Sequence, residues 1–124
     1  MKNLLLVGIG GFLGSISRYS VSIVITKIFP ITFPLGTFTV NIVGSFLIGL
    51  IYGIIEEYPT LSDYRLFFAT GFCGGFTTFS SFSAENLALL EKGEYLLFVA
   101  YSLGSLILGI IFVFVGVMSS KIFS

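Results

Sequence analysis

The sequence predicts an all-α membrane protein with four transmembrane helices, the third of which is broken. Hydrophobic residues make up 56% of the 124-residue chain and charged residues only 10%, whereas soluble domains carry about 25% charged residues. Apolar stretches of membrane-spanning length recur four times. The third of these contains two adjacent glycines and a run of hydroxyl side chains. A soluble fold of this size cannot bury so much apolar surface, so lipid is the expected solvent.

Each of the four predicted helices is close to the length of about 20 residues that a bilayer-spanning helix needs. They are Leu4–Phe29, Phe33–Ile55, Leu66–Leu90 and Tyr95–Met118. Pro30 and Pro34 bracket the first connection, because proline breaks a helix and restricts the residue before it. The charged stretches Glu56–Pro59 and Glu91–Glu94 form the other two. Residues 1–124 are therefore predicted to be a single four-helix membrane domain.

Composition also excludes several classes of function. Six basic and six acidic residues leave no net charge, so the chain lacks the basic surface that nucleic-acid binding requires. It contains no histidine and a single cysteine, Cys73. A His/Cys metal site or a histidine-based catalytic dyad is therefore excluded within one chain.

The basic residues near the predicted membrane surfaces are distributed almost evenly between the two sides. Lys2, Arg65 and Lys121 fall on the side of the termini, and Lys27 and Lys92 on the other. Such residues orient a membrane protein when they are biased to one side. A three-to-two split indicates either a weak signal that folding overrides or insertion in both orientations. Dual insertion would allow an antiparallel homodimer with a two-fold interface.

Small residues spaced by four recur on all four predicted helices. The pairs are Gly10 with Gly14, Gly49 with Gly53, Gly71 with Gly75, and Ser105 with Gly109. In lipid, small residues let helix backbones approach closely, so these positions are predicted to be packing contacts. Four helices are few for enclosing a path through the membrane, and packing faces on all of them favour an oligomer.

Two polar groups lie inside the first and second predicted helices. Arg18 is flanked by serines, which favours a water-filled vestibule that concentrates anions; the alternative is that its side chain reaches to the membrane interface. Asn41 shares one helical face with Thr37 and Ser45, four residues to either side. That face either lines a path or holds the bundle together through an interhelical hydrogen bond.

The stretch GFCGGFTTFSSFSAE, Gly71–Glu85, is the most unusual part of the sequence. Gly74 and Gly75 make a continuous helix costly, and irregular backbone within a membrane persists only where it is buried in protein or lines a water-filled cavity. Free carbonyls there are ligands for a hard cation, and the neighbouring hydroxyls are donors for an anion. Phe79 and Phe82 project on one face, either as packing residues or with their positive ring edges toward an anion.

Three segments, GGFLGSISRY, GTFTVNIVGSFLIG and GFCGGFTTFSSFSAE, closely resemble the CrcB/Fluc fluoride channel family in order and spacing. The resemblance covers essentially the whole chain. It implies an antiparallel, dual-topology dimer of four-helix subunits with two pores in the bacterial inner membrane. It also implies passive, selective export of fluoride. Whether the chain pairs with itself or with a paralogue is left open.

The resemblance also implies roles for individual residues. Backbone carbonyls of Gly74 and Thr77 are expected to bind a structural sodium ion that is not transported. The expected pore residues are Asn41, Phe79, Phe82, Tyr101 and a polar track of Ser80, Ser81 and Ser83, with Arg18 in the vestibule and Glu85 near the end of the track. The family usually has threonine where this chain has Ser81, which leaves the hydroxyl in place and changes only local packing.

Two other classes of protein share some of these features. A small four-helix multidrug-type exporter has a similar size and charge balance, but proton-coupled export needs a carboxylate within the membrane. All six acidic residues are predicted to lie in connections or towards helix ends. A purely structural membrane subunit has no need of Asn41, a broken third helix or so many hydroxyls. An enzyme is not expected, because no pairing of a base with a nucleophile is visible.

Overall fold

The computed structural model describes residues 1–123, and of Phe123 the backbone alone. Its elements are α1 (Lys2–Ile28), α2 (Leu35–Glu57), a 3-10 turn (Pro59–Leu61), a π-helix (Leu66–Cys73), α3 (Gly74–Phe76), α4 (Phe79–Glu91), α5 (Tyr95–Ser120) and a 3-10 turn (Lys121–Phe123). No strand occurs within the described residues. Helices α1, α2 and α5 are each long and apolar enough to cross a membrane. The prediction of an all-α, multi-pass membrane protein is confirmed.

Prolines lie close to the ends of the first two helices. Helix α1 ends at Ile28, two residues before Pro30, and Pro34 occupies the N-cap position of α2. Because Pro34 takes the N-cap position, α2 begins two residues later than predicted, at Leu35; it also ends two residues later, at Glu57 rather than Ile55. It stops just before Pro59, which cannot continue a helix.

The third predicted helix corresponds to Leu66–Glu91, and its break lies at the end of the predicted Gly74–Thr77 stretch and not at the two glycines. Gly74 and Gly75 are helical, and the extended backbone is at Thr77 (φ −92°, ψ 159°) and Thr78 (φ −150°, ψ 122°). Gly75 instead permits close packing, because a Cβ atom added there would approach the Gly11 carbonyl oxygen to 2.6 Å. A break in the third predicted helix is thus present, and side chains of α1 and α2 bind the backbone on either side of it.

Glycines bring the backbones of neighbouring helices into direct contact, as their spacing predicts. A Cβ atom added to Gly10 or Gly14 of α1 would collide with backbone carbonyls of the third span. Helices α2 and α5 form the largest contact in the fold, and there Gly49 and Gly116 each lie against the partner helix's backbone. The packing at Gly109 is looser, because a Cβ atom added there would lie 3.6 Å from Ser45 Oγ. Close backbone approach therefore builds the rigid frame around the break.

Candidate functional site

Asn41 of α2 binds both polar backbone groups of Thr78 in the break. The Thr78 N–H donates to Asn41 Oδ1 (2.8 Å), and Asn41 Nδ2 donates to the Thr78 carbonyl (3.1 Å). The side-chain amide thus replaces the peptide partners that a continuous helix would supply. A second Nδ2 hydrogen of Asn41 remains for another acceptor. Of the two alternatives that the sequence left open for Asn41, this bond corresponds to the one that holds the helices together.

Arg18 of α1 is held at the same break. Its Nε donates to the Gly75 carbonyl at 3.0 Å, and the side chain is half-buried. That carbonyl lies in the last turn before the break, where helical carbonyls lose their usual partners. The guanidinium therefore has a definite partner from another helix.

Thr78 also caps the helix that follows the break. Its Oγ1 accepts the Ser81 N–H (3.2 Å) and lies 3.3 Å from Ser80 Oγ. In an uninterrupted helix, the Thr78 N–H would bond the Gly74 carbonyl and the Ser81 N–H would bond the Thr77 carbonyl. Both amides are diverted, one to Asn41 and one to the Thr78 side chain. The carbonyls of Gly74 and Thr77 thereby lose their helical partners.

Three aromatic rings follow the break along one path. Phe79 is 79% exposed on the protomer, and its ring centroid lies 5.9 Å from that of Phe82. Phe82 in turn lies 4.9 Å from Tyr101 of α5, whose side chain is completely buried. The two phenylalanines therefore share a face, as their spacing predicts, and that face is open beyond Phe79.

Beyond the rings, a carboxylate joins three helices. Thr37 Oγ1 donates to Glu85 Oε2 and the Tyr101 hydroxyl donates to Glu85 Oε1, both at 2.9 Å. Glu85 is half-buried and lies midway along α4, so the prediction that all six acidic residues lie in connections or towards helix ends is wrong for this residue. It is level with the early turns of α2 and α5, to which Thr37 and Tyr101 belong. The hydroxyl of Tyr101 thus points to this carboxylate.

Two concave regions flank these groups. A groove on the protomer surface combines the break with the phenylalanines; its lining includes Asn41, Ser45, Gly74, Thr77, Thr78, Phe79, Phe82 and Ser105. A cavity of about 290 Å³ lies at the α2 start, where Thr37, Glu85 and Lys92 are among its lining residues. Arg18 belongs to neither lining. The groove lining contains Ser105 Oγ, a buried hydroxyl with no partner among the described residues.

The structure brings most of the expected site residues to one region. Asn41, Thr77, Phe79 and Phe82 share the groove, while Ser80 and Ser83 are exposed and Ser81 is half-buried on α4. Thr78 belongs to the run of hydroxyl residues after Gly75, but it was not among the expected site residues. Its signal was present, since threonine immediately before a helical run is a preferred N-cap residue.

These features define a small multi-pass helical membrane protein with polar groups gathered at a helix break. Residues 5–117 match the family model described as "CrcB-like protein, Camphor Resistance (CrcB)", and the chain belongs to this family. Relatives called "Fluoride-specific ion channel FluC" include those of Gloeothece citriformis (50% identity; 98% of each chain), Chlorobium chlorochromatii (48%; 96% of this chain and 92% of the relative) and Phocaeicola vulgatus (46%; 98% and 100%).

Proposed function

We propose that this chain forms a fluoride-selective channel that lowers cytoplasmic fluoride by passive export across the bacterial inner membrane. Membership of the CrcB family and the names of its relatives support the ion. The observation that carries the proposal is the groove in which Asn41, the broken backbone and Phe79 converge. A passive channel needs no catalytic group, and the protein is not an enzyme.

The chemistry of the groove suits a small, strongly hydrated anion. Removing such an ion from water is costly unless other ligands replace its hydration shell. Asn41 retains one amide hydrogen, α4 carries serine hydroxyls, and the edges of Phe79 and Phe82 are weakly positive. A pore must attract an ion enough to admit it and weakly enough to release it. Sparse donors with aromatic edges meet both conditions.

The active unit is a dimer of two copies in opposite orientations. Gly74 and Phe79 are exposed on the protomer, beside the polar groups of the break. Unpaired backbone groups cannot face lipid in the membrane interior, so a second copy covers this groove. The nearly even distribution of basic residues supports insertion in both orientations.

A sodium ion fits between the two copies. The carbonyls of Gly74 and Thr77 have lost their helical partners, and a Cβ atom added to Gly74 would meet nothing within 4 Å. Backbone carbonyl oxygens are suitable ligands for a hard cation. Such an ion supplies fixed positive charge that holds the two broken helices together, and it is not transported.

Fluoride efflux from liposomes that contain only this chain tests the main proposal. We expect fluoride to leave rapidly and chloride, the control ion, to be retained. Collapsing the proton gradient should leave the efflux rate unchanged, because a channel needs no coupling. Efflux that requires a proton gradient would instead favour a multidrug-type exporter, and absence of efflux would contradict channel function by a homodimer.

A variant with two added lysines in one connection tests the antiparallel arrangement. Such a variant inserts in one orientation and is expected to be inactive alone. Activity should return when it is combined with a variant forced into the opposite orientation. Conduction by either variant alone, after its single orientation is verified, would contradict the antiparallel dimer.

Replacement of sodium by a large organic cation tests the structural ion. Flux is expected to decline slowly, as the bound ion leaves, and the reversal potential is expected to stay at that of fluoride. A reversal potential that follows the sodium gradient would mean that sodium is transported.

A further inference from the structure

The hydrogen bonds of Thr78 differ from those of a continuous helix in a way that the proposed pore does not explain. The Thr78 N–H and the Thr78 Oγ1 each form a hydrogen bond that replaces one of a continuous helix. The N–H is bound by Asn41 Oδ1 at 2.8 Å, and the Oγ1 accepts the Ser81 N–H at 3.2 Å. In a continuous helix, the Thr78 N–H would instead donate to the Gly74 carbonyl and the Ser81 N–H to the Thr77 carbonyl.

We infer that Thr78, held by Asn41, is the positioning residue that sets the affinity of the structural sodium site. It contributes no sodium ligand in this assignment. It keeps two ligand carbonyls available by giving their competing amide donors other acceptors. The inference rests on the proposed sodium site, and it assigns Asn41 a role toward the cation in addition to its contact with fluoride.

The hydrogen-bond geometry explains why both Asn41 and Thr78 are needed to keep the two carbonyls available. Asn41 engages the Thr78 N–H and carbonyl together, which fixes the peptide on both sides of that residue. An extended Thr78 then places its hydroxyl at the N-cap of α4, where it satisfies a free amide. If the hydroxyl is removed, the Ser81 N–H is left without its acceptor and can return to the Thr77 carbonyl, in competition with sodium.

The test compares Thr78→Val with Thr78→Ser in the purified dimer. The valine variant keeps the shape of threonine but has no acceptor, whereas serine retains the acceptor. The probe is sodium chloride, titrated against a large organic cation at constant ionic strength. The readout is the sodium concentration that gives half of the maximal thermal stabilisation, a binding property independent of fluoride flux.

We expect Thr78→Val to raise that sodium midpoint about tenfold, the order expected when one hydrogen bond is lost to a competitor. Thr78→Ser and the control Ser120→Ala should match the wild type, because Ser120 lies outside the groove and bonds only its own helix, at the Val117 carbonyl. If the valine variant is not recovered as a dimer, Thr78→Ala removes the same acceptor with less bulk, and Asn41→Ala releases the Thr78 N–H; each is expected to raise the midpoint.

The outcomes separate this inference from the sodium site itself. If sodium stabilises the wild type no more than the organic cation does, both the sodium site and the positioning role of Thr78 are wrong. A wild type stabilised by sodium, together with an unchanged midpoint in Thr78→Val, Thr78→Ala or Asn41→Ala, overturns the positioning role and leaves the sodium site in place.

Discussion

The two halves of the third span are held in the fold by different means. The first half, Leu66–Phe76, lies against α1 backbone to backbone: a Cβ atom added to Gly71 would approach the Val7 carbonyl to 2.9 Å. The second half, Phe79–Glu91, is attached through side-chain hydrogen bonds, from Tyr101 to Glu85 and from Ser102 to Asn86.

This difference bears on where an ion can pass. Close backbone contact leaves no room for a water molecule or an ion, so the first half is suited to anchoring the break. A hydroxyl can rotate to offer its hydrogen to a different acceptor, so the second half can exchange an internal bond for one with an ion. The proposed path therefore follows the second half, past Phe79 and Phe82.

The largest expected effect comes from filling a glycine contact of the first half. In Gly14→Ala, the new methyl group would collide with the Phe72 carbonyl, and overpacking of this kind typically costs about 1–3 kcal/mol. We expect a markedly lower midpoint of thermal unfolding for the purified protein, measured by circular dichroism.

Gly8→Ala is the matched control on the same helix. A Cβ atom at Gly8 would meet nothing within 4 Å, and alanine favours a helix by about 1 kcal/mol over glycine. Its unfolding midpoint should equal or exceed that of the wild type. Equal losses in the two variants would mean that close packing against the third span is not what stabilises α1.

The next effect concerns the aromatic rings of the second half. Phe79→Ile and Phe82→Ile keep bulk and apolarity but remove the positive ring edge, and volume-conserving apolar changes typically cost under about 1.5 kcal/mol of stability. Flux depends exponentially on the barrier, with about 1.4 kcal/mol for each factor of ten. We expect folded dimers whose fluoride flux is at least about tenfold lower.

Phe98→Ile and Phe112→Ile, both on α5, are the controls for these variants and should conduct fluoride nearly normally. Equal and mild effects at all four positions would make Phe79 and Phe82 packing residues. The path would then be sought along Asn41 and the hydroxyls.

A smaller effect is expected from removing one hydroxyl of the Glu85 cluster. Tyr101→Phe keeps the ring contact with Phe82 but deletes the hydrogen bond to Glu85 Oε1. A single hydrogen bond contributes about 0.5–1.5 kcal/mol, so the midpoint of thermal unfolding should fall modestly. Tyr95→Phe, at an exposed position on the same helix, should leave it unchanged. A drop of equal size in both variants would contradict a specific role for this bond.

The smallest effect is expected at Ser81. Ser81→Thr restores the residue that is usual in the family while retaining the hydroxyl and the N–H that bonds Thr78 Oγ1. Fluoride flux should stay within about twofold of the wild type, since twofold corresponds to well under 1.4 kcal/mol in a barrier. A large loss would indicate that the additional methyl group disturbs the break.

Apolar runs, prolines and glycine spacing were enough to predict an all-α membrane protein and close backbone contacts at Gly10, Gly14 and Gly49. These features act locally or repeat along one helix, so the sequence displays them directly. The vicinity of the break was also visible, because Gly74 and Gly75 stand beside a run of hydroxyl residues.

Only the tertiary structure decided which side chains bind the backbone at the break and at which residues the backbone leaves the helix. Asn41 and Thr78 are separated by 37 residues and Arg18 and Gly75 by 57, so nothing in the local pattern of one segment indicates its partner. Gly75 lies in the helix with α1 packed against it, and the backbone can open at Thr78 because the Asn41 side chain binds both polar backbone groups of that residue. Within a membrane, an unpaired peptide group is too costly to remain, and its partner depends on how the helices pack.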